Sequence, residues 1–348
     1  MNSSLVDILR CPSCGEPLLV DGPIDTVGAV ESGALTCSGS PAHRFAIRDG
    51  IPRFVADVDD AGQAQTAASF GFKWQQLWGH AGGTRAFYQD WFLRRFGFGS
   101  IDELGGFLSA KQYMLDAGTG NGQSAGWYVP LIAGRWVGVD ISSSVDVARK
   151  QLPVSPRRDL VQADILRLPF AERTFDLVLS DGVLHHTPST RDALASVSRL
   201  LRVGGEILFY VYRKKGAIRE FSDDHVRDVV AQLPPETAWE TLKPITRLGE
   251  SLAHAGVTIR VPEDIPSLGI KAGEYDLQRF MYDNVVKLFW NDAFTFDENH
   301  HINFDWFHPR YAHRQTEQEV AEWCRDLRLD IVHQAVEVSG ISIRAVKR

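Results

Sequence analysis

The sequence contains few cysteines and no long apolar segment. Four cysteines occur among 348 residues, which is too sparse for a disulfide-stabilised scaffold. No apolar run reaches the roughly twenty residues that a membrane-spanning helix needs, and residues 1–10 lack the basic and then apolar order of a secretion signal. These absences lead us to expect a cytoplasmic protein without a membrane partner.

The sequence also lacks a positive net charge. Lysines and arginines number 37 against 44 acidic residues, which gives a formal net charge of −7. Because nucleic-acid binding depends mainly on neutralising phosphates, this charge balance disfavours nucleic acid as a partner, although it does not exclude a local basic patch. The hydrophobic content of 44% is ordinary for a globular protein. We expect a small-molecule partner, and the oligomeric state is left open.

Apolar runs alternate with helical or loop stretches through the middle of the chain. Alternation of this kind predicts a mostly parallel sheet with helices on both faces, which is an α/β fold. Two further runs, at 330–336 and 341–346, predict a C-terminal antiparallel hairpin that closes the sheet. The apolar runs expected to form parallel strands are 113–115, 136–139, 160–162, 175–180 and 206–211.

A glycine-rich turn follows the first of these apolar runs. Gly118, Gly120 and Gly122 let the backbone turn sharply and approach a ligand without interference from a Cβ atom. The preceding carboxylate of Asp116 would repel a dinucleotide pyrophosphate, whereas S-adenosylmethionine has no phosphate and carries two cationic groups. Gln123 stands where a dinucleotide fingerprint places its third glycine. The pattern therefore favours S-adenosylmethionine as the cofactor.

Further motifs follow the glycine-rich turn in a fixed order. Asp140 ends the second predicted strand, at about the spacing (~20 residues) at which an acidic group reaches the ribose hydroxyls of a nucleotide. The order of motifs resembles class I S-adenosylmethionine-dependent methyltransferases, in particular the small-molecule branch similar to quinone methyltransferases. The resemblance implies a Rossmann-like sheet and methyl transfer from S-adenosylmethionine. The segments that carry it are 115–122, 139–142, 162–165, 175–186 and 200–205.

The resemblance implies roles for the residues that match the family motifs. Asp116 and Gly118 would lie near the methionine moiety, Asp140 at the ribose, and Asp164 with Ile165 at the adenine. A carboxylate can accept a hydrogen bond from the adenine amino group, which supports the last of these roles. The candidate cofactor-binding residues are Asp116, Gly118, Gly120, Asp140, Ile141, Asp164, Ile165 and Ser180.

Three of the four cysteines lie in the first 40 residues, close to a histidine. Cys11 and Cys14 form a C-x₂-C pair, and Cys37 with His43 forms a C-x₅-H pair, a spacing compatible with tetrahedral structural zinc. The module resembles the zinc ribbon of bacterial ribosomal-RNA guanine methyltransferases and the short activator proteins of tRNA methyltransferases. Ser40 stands where many relatives have a fourth cysteine. Two alternatives remain: zinc bound with His43 as the fourth ligand, or a ribbon that lost its metal and kept its fold.

Composition and motif positions divide the chain into segments. Turn residues dominate its beginning, aromatic residues typical of helices follow, and a long insertion separates the last parallel strand from the C-terminal hairpin. The predicted segments are a zinc-ribbon-like module at 1–58, a helical cap at 59–110, the methyltransferase core at 111–213, a helical lid insertion at 214–310 and the C-terminal end of the core at 311–348.

Histidines are the candidate catalytic groups. Methyl transfer is an in-line displacement that needs orientation and exclusion of water, and it needs a base only for hydroxyl or carbon acids. His185 and His186 follow the fourth predicted strand and are candidate bases, with a structural role in that loop as the alternative. His313 ends a polar and aromatic run that begins at His300 and predicts a substrate wall.

Three functions fit the sequence. The first is methylation of a small molecule, a sugar or another secondary metabolite, most simply on oxygen. The second is an RNA base methyltransferase whose ribbon grips RNA, which predicts a basic face and salt-sensitive binding. The third is a non-catalytic partner subunit that binds S-adenosylmethionine, which predicts a blocked acceptor pocket. The acidic net charge and the suitable residues at every donor-site position favour the first.

Overall fold

The computed structural model describes residues 1–55, 60–75, 82–153 and 155–348. Its N-terminal module is an antiparallel sheet in which each strand pairs with the next along the chain. Leu5, Leu35 and Ile47 are buried in a core that continues into the central sheet. The predicted boundary at residue 58 lies outside the described residues. A 3-10 helix at Ser3–Asp7 precedes the strands β1 (Leu18–Asp21), β2 (Gly33–Cys37), β3 (Arg44–Arg48) and β4 (Ile51–Pro52).

Helices follow the module in the aromatic-rich part of the chain. The Ser100 side chain accepts a hydrogen bond from the backbone N–H of Glu103 and so caps the last of them at its N-terminus. These helices are α1 (Ala61–Gln75), α2 (Gly82–Phe96) and α3 (Ile101–Ser109).

The parallel strands of the central sheet come next, with short helices between them. The helix after the glycine-rich turn spans four residues and continues as a 3-10 turn at Pro130, because proline has no backbone N–H to donate within a longer helix. The strands are β5 (Tyr113–Ala117), β6 (Arg135–Asp140), β7 (Arg158–Gln162), β8 (Phe175–Asp181) and β9 (Leu201–Tyr212). The helices are α4 (Ala125–Tyr128), α5 (Ser144–Gln151) and α6 (Thr190–Ser198).

The insertion after β9 is mainly helical. Thr295 and Glu298 form a capping box that fixes the start of its last helix, and this helix packs against α1. The insertion therefore contacts the cap helices that precede the central sheet. Its elements are α7 (Ala217–Val230), α8 (Pro235–His254), β10 (Thr258–Val261), β11 (Gly273–Asp276), α9 (Leu277–Asn284) and α10 (Phe296–Phe307).

The chain then returns to the central sheet. After α11 (Glu317–Asp326), the strands β12 (Leu329–Val336) and β13 (Gly340–Lys347) form the expected antiparallel hairpin. The sheet order is β12-β13-β9-β8-β5-β6-β7, so β6 and β8 flank β5 and the carboxyl ends of these parallel strands lie side by side. The predicted α/β fold is confirmed. No helix in the described ranges has the length and apolar character needed to cross a membrane.

The N-terminal module covers the outer edge of β7. The backbone N–H of Phe54 donates to the carbonyl of Gln162 at 2.8 Å, and Arg53 forms a parallel bridge with the same residue. Near the other end of β7, the backbone and side-chain nitrogens of Asn2 donate to the buried Asp159 at 2.7 and 3.0 Å. A free sheet edge is a template for association with other chains, and the module occupies this one.

Candidate active site

A cavity of about 980 Å³ opens at the carboxyl ends of β5, β6 and β8. Sites for drug-sized ligands measure about 300–1,000 Å³, so this cavity lies at the upper end of that range. We call its two parts the glycine end and the lid end. The glycine end is lined by Asp116, Gly118, Thr119, Gly122, Asp140, Ile141 and Ile165. The lid end is lined by Lys73, His186, Tyr212, Tyr282, Lys287, Phe289, Phe294 and Asp305.

The glycine-rich turn is held against β6 at the glycine end. The backbone N–H groups of Gly118 and Thr119 both donate to the carbonyl of Val139, at 2.7 and 2.9 Å. Gly118 has φ +97°, and a Cβ atom at this position would lie 2.2 Å from the side chain of Val183. Both the backbone conformation and the lack of space therefore require glycine at position 118.

Asp140 fixes the same turn from the end of β6. Its Oδ2 accepts from the backbone N–H of Gly120 at 3.0 Å. Its Oδ1 accepts from the backbone N–H and the hydroxyl of Ser142, at 2.9 and 2.7 Å. A carboxylate offers about four lone-pair positions, so Asp140 retains the capacity to accept a hydrogen bond from a ligand hydroxyl in the cavity.

Asp116 is a buried carboxyl group on the wall of the glycine end. The hydroxyl of Tyr128 donates to its Oδ2. Burial raises the pKa of Asp116 to about 7, against the opposing effect of the Tyr128 hydrogen bond. The carboxyl group therefore changes charge near neutral pH, and a cationic ligand beside it would favour the ionised form.

An ion pair lies where β8 ends. Arg95 of α2 donates two hydrogen bonds to Asp181, at 2.9 and 2.8 Å. Its guanidinium also lies over the rings of Trp91 and Tyr210, 3.6 and 4.7 Å from their centroids. Planar, bidentate pairing of this kind orders both side chains. No motif in the sequence points to Arg95, because α2 is distant from β8 along the chain.

Ile141 and Ile165, two predicted cofactor residues, line the cavity. The carbonyl of Ile141 accepts from the side chain of Gln162 at 3.1 Å, and Gln162 in turn accepts from Arg53 of the N-terminal module at 3.1 Å. A short series of hydrogen bonds thus joins the module to the loop after β6.

Asp164 and Ser180, two other predicted cofactor residues, hold the backbone. Asp164 accepts from the backbone N–H of Leu166 at 2.9 Å and caps a 3-10 helix, while burial raises its pKa. Ser180 is fully buried and donates to the carbonyl of Ala117 at 3.0 Å, which joins β8 to β5. Among the described residues, neither side chain belongs to the cavity wall.

His186 is the predicted catalytic histidine that lines the cavity. Its Nδ1 lies 2.6 Å from the carbonyl of Tyr311, and a carbonyl only accepts hydrogen bonds, so Nδ1 carries the proton. Nε2 is buried, and no described residue bonds to it. Burial lowers the pKa of His186 to about 4, while the nearby Asp305 opposes this effect. The ring therefore presents an unprotonated nitrogen.

His185 and His313 lie behind the cavity wall rather than in it. His185 is fully buried against the ring of Tyr212, with the ring centroids 3.7 Å apart. The backbone N–H of His313 donates to the carbonyl of His185 at 2.9 Å, and burial lowers the pKa of both imidazoles. Of the three predicted catalytic histidines, the structure therefore brings His186 alone to the described cavity wall.

The charged groups of the lid end come from separate parts of the chain. The Nζ atom of Lys73 lies 2.9 Å from Oδ2 of Asp305 and 4.2 Å from the ring centroid of Trp74. Asp305 belongs to the polar and aromatic run that the sequence predicts to be a substrate wall. Lys73 and Lys287 carry no comparable sequence signal, because isolated lysines are usually solvated.

The N-terminal cysteines and histidine form a compact cluster. The ligand atoms of Cys11, Cys14, Cys37 and His43 all lie within 4.8 Å of one another. Cys14 Sγ is 3.8 Å from Cys37 Sγ, and His43 Nδ1 is 3.6 and 3.5 Å from the sulfurs of Cys11 and Cys37. Tetrahedral zinc with Zn–S of about 2.3 Å and Zn–N of about 2.0 Å requires edges of about 3.8 and 3.5 Å. The donor set therefore fits zinc.

The match to a known protein family lies in the middle of the chain. Residues 115–209 match a protein family described as a methyltransferase domain. The chain is 36% identical over 113 residues to a protein of Encephalitozoon cuniculi named as a methyltransferase, covering 31% of this chain and 49% of that protein. It is 30% identical over 127 residues to phthiotriol/phenolphthiotriol dimycocerosates methyltransferase 1 of Mycobacterium ulcerans, covering 36% and 46%. The chain thus spans about half the length of these curated relatives.

A solved structure with partial similarity is the 1,6-didemethyltoxoflavin-N1-methyltransferase of Burkholderia thailandensis with bound 1,6-didemethyltoxoflavin and S-adenosylhomocysteine. The identity is 15%, the TM-score is 0.39, and the alignment covers 91% of this chain and 99% of that chain. A similarity this low supports no argument about the site. The family match, in contrast, assigns a methyltransferase domain to the segment that holds the glycine-rich turn, Asp140 and His186.

Proposed function

We propose that this chain is an S-adenosylmethionine-dependent methyltransferase whose acceptor is a small molecule, a sugar or another secondary metabolite, methylated on a hydroxyl oxygen. The observation that carries the proposal is a cavity with two distinct ends. The glycine end has a turn fixed by Asp140, within the segment that matches a methyltransferase domain. The lid end has an unprotonated buried nitrogen, Nε2 of His186.

The residues of the glycine end fit the cofactor. Asp140 would accept a hydrogen bond from a ribose hydroxyl, and Ile141 and Ile165 would flank the adenine. Asp116 would face the cationic methionine part, whose ammonium and sulfonium compensate the cost of a buried carboxylate. The bound cofactor supplies a methyl group on a sulfonium, which is an activated leaving group.

The residues of the lid end support transfer to oxygen. In transfer to oxygen, His186 Nε2 would accept the proton of the acceptor hydroxyl as that oxygen takes up the methyl group and the thioether of the cofactor leaves. Asp305 stabilises the imidazolium that results, because its negative charge raises the pKa of His186. Tyr212 and Phe289 exclude water from this end.

Zinc in the N-terminal cluster is a second part of the proposal. The distances among the three sulfurs and the imidazole nitrogen support a structural ion with His43 as the fourth ligand. A closed site of four protein ligands leaves no position for a substrate, so the ion would stabilise the module rather than take part in methyl transfer.

The cavity also bears on the alternative functions. A non-catalytic subunit predicts a blocked acceptor pocket, whereas the lid end is part of a cavity of about 980 Å³ that carries polar groups. An RNA base methyltransferase predicts a basic face, whereas the chain has a net charge of −7. Both comparisons favour a small-molecule acceptor.

Calorimetric titration with S-adenosylhomocysteine tests the cofactor assignment. We expect wild-type protein to bind it and Asp140→Ala to bind it at least about tenfold more weakly, because a lost hydrogen bond to a charged group is worth about 1.5–3 kcal/mol. The matched control is Asp102→Ala, an exposed acidic residue on α3, which should bind like wild type. Undiminished affinity in Asp140→Ala would refute the assignment.

A further inference from the structure

Lys287 is a buried cation that forms no ion pair with a carboxylate in the described parts of the chain. Its side chain lines the lid end, is 6% exposed, and places Nζ 4.5 Å from the ring centroid of Trp306. No carboxylate in the described parts of the chain forms an ion pair with it. Burial lowers the pKa of Lys287 to about 7, and Arg219 contributes to the same shift. An isolated buried ammonium group destabilises the folded protein.

The acidic residues around Lys287 are already engaged by other cations. The Nζ atom of the half-buried Lys215 is also buried, and no described residue accepts a hydrogen bond from it. Two ammonium nitrogens near Trp306, those of Lys287 and Lys215, therefore form no ion pair with a described carboxylate. The existing ion pairs are Lys73–Asp305 at 2.9 Å, Arg219–Asp223 at 2.6 Å and Arg279–Asp283 at 3.2 Å.

Aromatic rings line the cavity in the same region. Tyr282 and Phe289 have centroids 6.1 Å apart, and Phe289 and Phe294 have centroids 6.2 Å apart, so that the rings form a connected series. Rings at these distances provide a surface on which a planar aromatic ligand packs. A ligand that reaches Lys287 from this surface must also carry a group that pairs with the ammonium of its side chain.

We infer that the acceptor is a planar aromatic acid, which packs on this series of rings and pairs its carboxylate with Lys287. The inference rests on the proposed function and adds the substrate class to it. A carboxylate supplies the ion-pair partner that Lys287 lacks among the described residues, and the compact ammonium of lysine binds it as a point charge. Neutral acceptors of the same shape leave Lys287 unpaired, so the site discriminates against them.

The test compares an acid with its amide. The probes are 3,4-dihydroxybenzoate and 3,4-dihydroxybenzamide, titrated calorimetrically into protein saturated with S-adenosylhomocysteine. We expect wild type to bind the acid at least about tenfold more tightly than the amide, the ratio that one charge-assisted contact provides. In Lys287→Met this preference should disappear. Lys215→Met is the matched control, because the Nζ atom of Lys215 is also buried and lies near Trp306 but Lys215 does not belong to the described cavity wall, and this variant should keep the preference.

Two further measurements separate a binding role from a structural one. Without ligand, Lys287→Met should unfold at the same temperature as wild type or at a higher one, because the substitution removes an unpaired buried charge. If Lys287→Met does not fold, Lys287→Gln is used in its place. The affinity of the variant for S-adenosylhomocysteine should equal that of wild type. A loss of that affinity would assign Lys287 to the cofactor carboxylate and overturn the inference.

The remaining outcomes are also decisive. The substrate class would be overturned if wild type bound acid and amide equally or failed to bind the acid at millimolar concentration. It would also be overturned if the preference for the acid survived in Lys287→Met or disappeared equally in Lys215→Met. If wild type binds S-adenosylhomocysteine in these cases, the proposed function stands. Failure to bind S-adenosylhomocysteine would overturn both proposals.

Discussion

Asp116 is expected to make cofactor binding depend on pH near neutrality. Its pKa rises from 3.8 to about 7 because the carboxyl group is buried. Since each pKa unit corresponds to about 1.4 kcal/mol, ionising Asp116 in the folded protein costs about 4 kcal/mol more than in water. A cation bound beside it recovers part of this free energy, and protonation of the carboxylate therefore competes with cofactor binding.

The expected effect follows from the fraction of Asp116 that is ionised. With a pKa of about 7, the carboxylate is about nine-tenths ionised at pH 8 and about one-tenth ionised at pH 6. The affinity for S-adenosylhomocysteine, which keeps the ammonium group, should thus be about tenfold weaker at pH 6 than at pH 8. Asp116→Asn should bind more weakly at pH 8, by about ten- to a hundredfold, and should lose the dependence on pH.

The assay is calorimetric titration between pH 5.5 and 8.5, with thermal unfolding measured in parallel. Asp116→Asn should be at least as stable as wild type at pH 8, because the asparagine carries no buried charge. Burial also lowers the pKa of Lys287 to about 7, so the profile is repeated in Lys287→Met, whose affinity and pH dependence should equal those of wild type. An unchanged slope in Asp116→Asn, or its disappearance in Lys287→Met, would refute the assignment to Asp116.

The remaining predictions concern the glycine-rich turn and the metal cluster. Gly118→Ala should weaken S-adenosylhomocysteine binding more than tenfold and lower the unfolding temperature, because a left-handed residue costs about 1–2 kcal/mol before the contact with Val183 is counted. The control is Gly126→Ala, whose Cβ meets nothing within 4 Å. Equal effects of the two substitutions would contradict the prediction. Elemental analysis should find one zinc per chain, and Cys14→Ser or a chelator should lower the unfolding temperature. Zinc-free protein of unchanged stability would favour the metal-free ribbon.

The glycine end of the cavity could be predicted because its residues lie close together in the sequence. Asp116 and Gly118 belong to one turn, and Asp140 ends the next strand of the sheet. A strand, a turn and a second strand with an acidic end form a local pattern, and parallel pairing places both strand ends at one edge. The role of Ser180 could not be predicted in this way. Successive side chains of a strand point to opposite faces, and the Ser180 hydroxyl forms its hydrogen bond within the sheet.

The lid end could not be predicted in the same way. Lys73, His186 and Lys287 come from a cap helix, a loop after β8 and the insertion, and only the folded chain brings them to one cavity. The adjacent histidines illustrate the physical reason. They share a 3-10 turn at Leu184–His186, which directs one ring to the cavity and the other against Tyr212, and two identical residues give no sign of which is which.

The docking of the N-terminal module on β7 has a consequence for how the protein must be handled and how its parts cooperate. Arg53 donates a hydrogen bond to Gln162, and Gln162 donates one to the Ile141 carbonyl. Removing the N-terminal module would therefore loosen the glycine end of the cavity and would also expose the edge strand β7. Carrying both parts on one polypeptide keeps them in equal stoichiometry and makes their docking independent of protein concentration. The N-terminal module thus stabilises the loop after β6 at the glycine end of the cavity.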